Sequence, residues 1–202
     1  MSSVRIPRLV LVTDRNATGG RDLVDVVAAA VDAGLRAVQL RDKDLSGRAL
    51  FVLAERLRAV TARAGALLLV NERVDVAIAV GAEGVHLGGG AMPVDVARRL
   101  LPARAIVGVS THSAAEVATT TADFAFFGPV FATPAKTSAQ GAEPLRAAVA
   151  AARVPVLAIG GVTVERVADV RAAGATGVAV IRAILAAADP AAATRALIAA
   201  CA

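Results

Sequence analysis

The residues of this chain able to grip an anion or move a proton stand in short polar clusters, each at the end of an apolar run. Gln39, Arg41 and Lys43 close AVQLRDK; Asn71 and Glu72 fall in ALLLVNER, Ser110 and His112 in AIVGVSTH, and Thr133 and Lys136 in FAFFGPVFATPAK. Gly160 and Gly161 end VPVLAIGG, and Ile181 with Arg182 ends GVAVIRA. Period-2 alternation puts Gln39, Arg41 and Lys43 on one side of their run and Leu40 on the other. Turning an Arg and a Lys inward is costly without an anion. With Lys136 as a third cation, the set suits a diphosphate, because Arg grips two oxygens and Lys adds a point charge. The Gly160-Gly161 pair, between a strand and a helix N-terminus, suits a phosphate held by backbone N–H groups. His112 has an imidazole able to act as general acid or base near neutral pH, whereas His86, inside its run, reads as a histidine of the core or the mouth. Residue types alone leave other roles open: a rim network of Arg41 and Lys43 with Asp42, Asp44 and Glu72, a tight turn at the glycines, a strand-end hydrogen bond at His112.

Eight apolar runs must position these clusters, the two not yet named being RLVLVTD and GVHLGGG. Rich in Val, Leu and Ile and bounded by turn signals, they predict strands buried on both faces of a parallel sheet. Segments of helical period lie between them: 21–33, 46–64, 74–80, 93–101, 113–121, 143–152, 163–173 and 190–200. Ser46 and Asp189 are expected as N-caps, with Pro190 at a first helical position, and the Ala-Gly pairs at 33–34, 64–65 and 173–174 as helix ends. Strict alternation with short connections predicts a single (β/α)8 barrel over 1–202, in which all eight strand tips and their loops share one mouth. The Ala-rich stretches 26–31, 147–152 and 186–193 read as mostly helix. The long irregular stretch 131–140 is a candidate lid.

Composition bounds the partners. With 202 residues, 56% hydrophobic and 2% aromatic, the chain builds its core from Val, Leu, Ile and Ala. A net charge of +5 spread over scattered arginines, without aromatics interleaved, disfavours nucleic acid and points to small anionic phosphate substrates. One cysteine, Cys201, forms no intramolecular disulfide and fits a reducing cytoplasm. Neither a signal peptide nor a membrane span is expected. A homo-oligomer is compatible with such a chain.

In order and spacing, Gln39-Leu-Arg-Asp-Lys43, Asn71-Glu-Arg-Val-Asp75, Gly84-Val-His-Leu-Gly88, Gly108-Val-Ser-Thr-His112, Gly128-Pro-Val-Phe-Ala-Thr-Pro-Ala-Lys136 and Ala158-Ile-Gly-Gly161 resemble the successive signatures of the thiamine phosphate synthase and thiazole tautomerase superfamily. The resemblance implies the coupling of 4-amino-2-methyl-5-hydroxymethylpyrimidine diphosphate to a thiazole phosphate, with release of diphosphate. By that likeness Gln39, Arg41, Lys43, Asn71 and Lys136 hold the pyrimidine diphosphate, and Ser110 and Thr133 add hydroxyl contacts. Gly160, Gly161 and the turn at Ile181 and Arg182 hold the thiazole phosphate.

Departures from the pattern matter as well. The synthase presents two Asp as Mg²⁺ ligands where this chain has Glu72 and Ala91, a Thr where it has Ala135, and a Ser where it has Arg182. The extra methylene of Glu72 moves its oxygens by about 1 Å, and Mg²⁺ demands near-octahedral ligands at about 2.0–2.1 Å. The tautomerase also lacks the paired carboxylates, and it uses a general acid/base histidine at the position of His112. A catalytically silent barrel binding a phosphorylated ligand is a third alternative. The intact Gln39, Arg41 and Lys43 set favours the synthase, with Mg²⁺ held by Glu72 and substrate phosphates.

Overall fold

Every second residue of eight short strands points into one closed cylinder, and this packing places the polar tips. The computed structural model describes residues 6–133 and 138–202. The strands are β1 (Leu9–Val12), β2 (Ala37–Leu40), β3 (Leu67–Asn71), β4 (Gly84–Leu87), β5 (Ile106–Thr111), β6 (Phe124–Phe127), β7 (Val156–Ile159) and β8 (Gly177–Val180). All neighbours are parallel, and β8 pairs with β1 to close the barrel. The single (β/α)8 barrel expected from the sequence is the fold observed.

Around the barrel run α1 (Leu23–Asp32), α2 (Gly47–Arg63), α3 (Val74–Val80), α4 (Val94–Leu100), α5 (Ala114–Thr119), α6 (Ala142–Ala151), α7 (Val167–Ala172), α8 (Arg182–Leu185) and α9 (Pro190–Cys201). Ser46 caps α2 by accepting from the Ala49 N–H, and Asp189 caps α9 by accepting from that of Ala192. After α1, α2 and α7 the chain turns on Gly34, Gly65 and Gly174 at positive φ, as the Ala-Gly pairs predicted. Two expectations need correction. The 163–173 helix begins as a 3-10 turn over Val164–Arg166, and the Ala-rich stretch 186–193 is helical only from Pro190. Asp189 and Pro190 set that start, because an N-cap and a ring lacking an N–H cannot lie inside a helix. The preceding α8 was not foreseen.

Two apolar layers result. Leu11, Val38, Leu40, Val70, Val85, Val107, Phe127 and Val178 face the helices. Val10, Val12, Ala37, Leu69, Ile106, Phe124, Phe126, Leu157 and Ala179 fill the barrel. The Phe124 and Phe126 rings meet edge to face, with centroids 5.4 Å apart, and the His86 imidazole lies 4.3 Å from Phe126. Gly108, beside Phe124 in the adjoining strand, makes this possible, because a Cβ there would run into the Phe124 ring. Gly108→Ala is therefore expected to cost about 1–3 kcal/mol of stability, the range for overpacking. Urea denaturation checks this, and Phe124→Leu in the same chain should recover part of the loss.

His86 is 1% exposed, and burial pushes its imidazole down to about 3. The unfolded chain accepts a proton on this ring near pH 6.5, while the folded chain accepts it only near pH 3, so stability falls as pH drops through that window. His86→Phe removes this contribution. Its unfolding free energy should decline less steeply between pH 6.5 and 4 than that of the unsubstituted protein, as denaturant titrations at several pH values would measure.

Candidate active site

Strand β2 ends at Leu40, which places Arg41, Asp42 and Lys43 in the loop above the barrel rather than on the strand itself. Thr13, fully buried after β1, clamps the start of that loop: its hydroxyl accepts from the Arg41 N–H at 2.9 Å and donates to the Arg41 carbonyl at 3.2 Å. Asp42 turns away from both cations. It pairs with Arg15 and accepts from the N–H groups of Asp44 and Leu45 at 3.1 Å. Burial opposes ionisation of Asp42, and Arg15 with these N–H groups overcomes it, keeping the carboxyl below its ordinary range. The half-buried Arg41 guanidinium and the exposed Lys43 ammonium form no hydrogen bond or ion pair among the described residues. The rim network with Asp42, Asp44 and Glu72 therefore does not form, and two cations stand at the mouth without a carboxylate on either.

Below them Gln39 points into the barrel, 2% exposed, and its Nε2 donates to Asn71 Oδ1 at 2.9 Å. Asn71 is paired in register with His86 of β4, and His86 Nε2 lies 2.9 Å from Ser110 Oγ of β5. Gln39, Asn71, His86 and Ser110 thus make a polar layer between the apolar filling and the mouth. Two of its buried atoms, Gln39 Oε1 and His86 Nδ1, have no partner among the described residues.

Glu72 sits at φ 61°, a left-handed conformation uncommon for a side chain of this size, held by its N–H donating to the His86 carbonyl at 2.9 Å. The bend lays its carboxylate over Gly88, where any Cβ would collide with it. The carboxylate thereby reaches the tip of β4, beside the stretch in which Ala91 stands. Ala91 itself is half-buried and packs on the helix-side core. Among the described residues no group of three His, Cys, Asp or Glu gathers to bind a metal. One carboxylate at the mouth fits Mg²⁺ as a ligand shared with substrate phosphates, the usual way this ion is held.

His112 is exposed beyond β5. Its Nδ1 donates to the Gly128 carbonyl, which leaves Nε2 as the free ring nitrogen, and its own N–H donates to Glu116 Oε2 at 2.6 Å. After β7, Gly160 and Gly161 take φ of 96° and 62° and pack against the same loop after β6. A Cβ on Gly160 would come within 2.6 Å of Pro129, and one on Gly161 within 2.6 Å of the Ala132 carbonyl. Close packing thus explains the pair, and an anion role stands beside it. The N–H groups of Gly161, Val162, Arg182 and Ala183 find no backbone acceptor among the described residues. Ile181 and Arg182 lie at the start of α8, with Arg182 exposed. Phe131 opens the candidate lid, anchored by its N–H on the Gly160 carbonyl at 3.0 Å and by Arg166 over its ring at 4.8 Å. Thr133 follows at the edge of the described chain, and Lys136 and Ala135 lie outside the described residues.

The structure thus gathers most sequence-derived candidates at one end of the barrel. Thr13 and Arg15 were missed, although VTDR at the first strand tip holds both. A cavity of about 870 Å³ opens at the opposite end, among Arg8, Ile106, Asp123, Pro155 and Gly177. There Arg98 is tied to Asp123 and the Ala105 carbonyl, and Arg8 to the C-terminal carbonyls. Barrels of this kind do their chemistry at the strand C-termini, which keeps the site at the mouth that carries Arg41 and Lys43.

Comparison with known proteins adds relatives to this geometry. A family model described as thiamine monophosphate synthase matches residues 9–184. A thiamine-phosphate synthase of Roseiflexus castenholzii is 47% identical over 93% of this chain and 85% of its own length. That of Methanoculleus marisnigri is 45% identical over 94% and 92%. Among solved structures, a thiamine phosphate pyrophosphorylase from Pyrococcus furiosus superposes with a TM-score of 0.86 at 37% identity, covering 96% of this chain and 94% of its own. No described helix is long and apolar enough to cross a membrane. With matches of this extent, the chain belongs to the thiamine monophosphate synthase family.

Proposed function

We propose that this chain is a thiamine phosphate synthase, which joins 4-amino-2-methyl-5-hydroxymethylpyrimidine diphosphate to a thiazole phosphate and releases diphosphate. The observation that carries the reading is the pair of uncompensated cations, Arg41 and Lys43, at the mouth of a barrel of this family. The bond from the pyrimidine methylene to the diphosphate oxygen breaks with its electron pair leaving on oxygen. Positive charge grows on the carbon, where the amino-pyrimidine spreads it, and negative charge grows on the diphosphate. Arg41, its backbone held by Thr13, and Lys43 stabilise that charge where it develops, with Lys136 as the third cation. The thiazole nitrogen then supplies the electron pair of the new C–N bond.

Gln39 spends its amide N–H on Asn71, which leaves its carbonyl oxygen as an acceptor for the amino-pyrimidine. Ser110 and Thr133 add hydroxyl contacts. The thiazole phosphate is held by Gly160, Gly161 and the start of α8 at Ile181 and Arg182, where free N–H groups and the helix end favour an anion. Glu72 and the diphosphate oxygens would hold Mg²⁺, which supplies further positive charge beside the leaving group when bound. The reducing cytoplasm is the compartment that suits this small-molecule chemistry. An isomerase reading rests on His112, whose free Nε2 could take a proton from a thiazole carboxylate phosphate.

Incubation with both substrates, with and without Mg²⁺, tests the proposal. Coupling that rises with Mg²⁺ is expected; isomerisation without any coupling would replace this reading with the one based on His112. Arg41→Ala should lower kcat/KM for the pyrimidine diphosphate by about 10- to 100-fold, corresponding to about 1.5–3 kcal/mol for a hydrogen bond to a charged group. Its melting temperature should stay near that of the unsubstituted protein, because the guanidinium has no partner among the described residues.

A further inference from the structure

The polar layer beneath the mouth holds a histidine to which the coupling chemistry assigns no task. His86 is 1% exposed and lies against the Phe126 ring, with Nε2 2.9 Å from Ser110 Oγ and Nδ1 buried without a partner among the described residues. A neutral imidazole carries one N–H, and its two nitrogens are not equivalent here. Placing the proton on Nδ1 strands a donor among aromatic rings. Placing it on Nε2 gives it to Ser110 and strands only a lone pair. Buried orphan N–H groups are the rarer and costlier of the two defects.

We propose that His86 is a positioning residue that donates its Nε2–H to Ser110 Oγ, turning the Ser110 hydroxyl proton toward the mouth as a fixed donor to the anionic substrate. The inference rests on the synthase reading for what Ser110 meets there. A serine hydroxyl has one proton and two lone pairs. Once a lone pair is taken by Nε2–H, the proton cannot point back at the ring. Ser110 lies two residues beyond Gly108 on the inner face of β5 and is only half-buried, so the remaining direction opens on the mouth. In the opposite tautomer the hydroxyl would donate to His86 and present its lone pairs to a phosphate oxygen, which repels it. The ring nitrogen that holds the proton thus decides whether Ser110 attracts or repels the substrate.

A ¹⁵N spectrum of the histidine rings tests the first half without any assay. Protonated Nε2 on His86 is expected, and a protonated Nδ1 overturns the proposal whatever the activity. Kinetics test the second half. His86→Phe keeps an apolar ring in place but has no donor, whereas His86→Gln keeps an N–H in a poorer fit. A packing role ranks Phe above Gln in both stability and activity. The positioning role reverses the order in activity alone, with His86→Phe losing about fivefold to tenfold in kcat/KM for the pyrimidine diphosphate. In a Ser110→Ala background, His86→Phe should cost nothing further. Additive losses, or full activity in His86→Phe, overturn the proposal. A protein that couples no substrates in any form fails the synthase reading instead, and the ring spectrum still decides the tautomer.

Discussion

Closure of eight parallel strands sets the terms for everything else in this molecule. A closed barrel has a fixed interior, and side chains from alternate positions must fill it without voids. With 2% aromatic residues in the chain, Phe124 and Phe126 supply the two largest pieces of that filling. Gly108 exists beside them because there is no volume left for a side chain. The same alternation, carried one step further along each strand, turns Gln39, Asn71, His86 and Ser110 inward. Filling and polar layer are one pattern, and neither can slip by a residue without exchanging inside for outside.

Above that layer the electrostatics depend on which carboxylate each cation fails to meet. Asp42 lies between Arg41 and Lys43 in sequence, yet it faces Arg15 and caps its own loop through two N–H groups. Arg15 therefore does indirect work: by occupying Asp42 it leaves the two mouth cations uncompensated. Thr13 fixes the loop from below at both the N–H and the carbonyl of Arg41. The backbone of Arg41 is thus clamped, and the charge of both cations remains available to a ligand. A clamped backbone limits how far such side chains must move to meet charge where it develops.

The barrel was legible because its signals are periodic and repeat. Short apolar runs, helical segments and the Ala-Gly ends each recur, so one misread segment does not disturb the alternation of the others. What stayed illegible was local competition for partners. Nothing in the spelling of Gln39-Leu-Arg-Asp-Lys43 says that Asp42 will choose Arg15 over its sequence neighbours, since that choice is made by a loop 27 residues away. Gly160 and Gly161 were legible as a phosphate-type turn, but their steric conflict with Pro129 and Ala132 depends on the path of another loop. Glu72 read as a lengthened Asp. Its left-handed backbone, which swings the carboxylate over Gly88, has no signature in composition or period.

That last conformation bears on how a site can lose one carboxylate and keep a use for the other. An Asp with ordinary backbone and a Glu at φ 61° place their oxygens by different routes, the Glu adding a methylene of reach and the bend redirecting it toward β4. At the position where the resemblance implies a second carboxylate, Ala91 packs half-buried on the helix-side core and offers no donor. A single Glu aimed at the β4 tip covers space that would otherwise be shared between two strands' ligands. Mg²⁺ keeps several waters and accepts phosphate oxygens readily, so under the proposed function a diphosphate would supply the ligand that Ala91 does not. On the proposed reading, the cations of the β2 loop and the carboxylate of the β3 tip would act on the same leaving group from adjacent strands of the closed barrel.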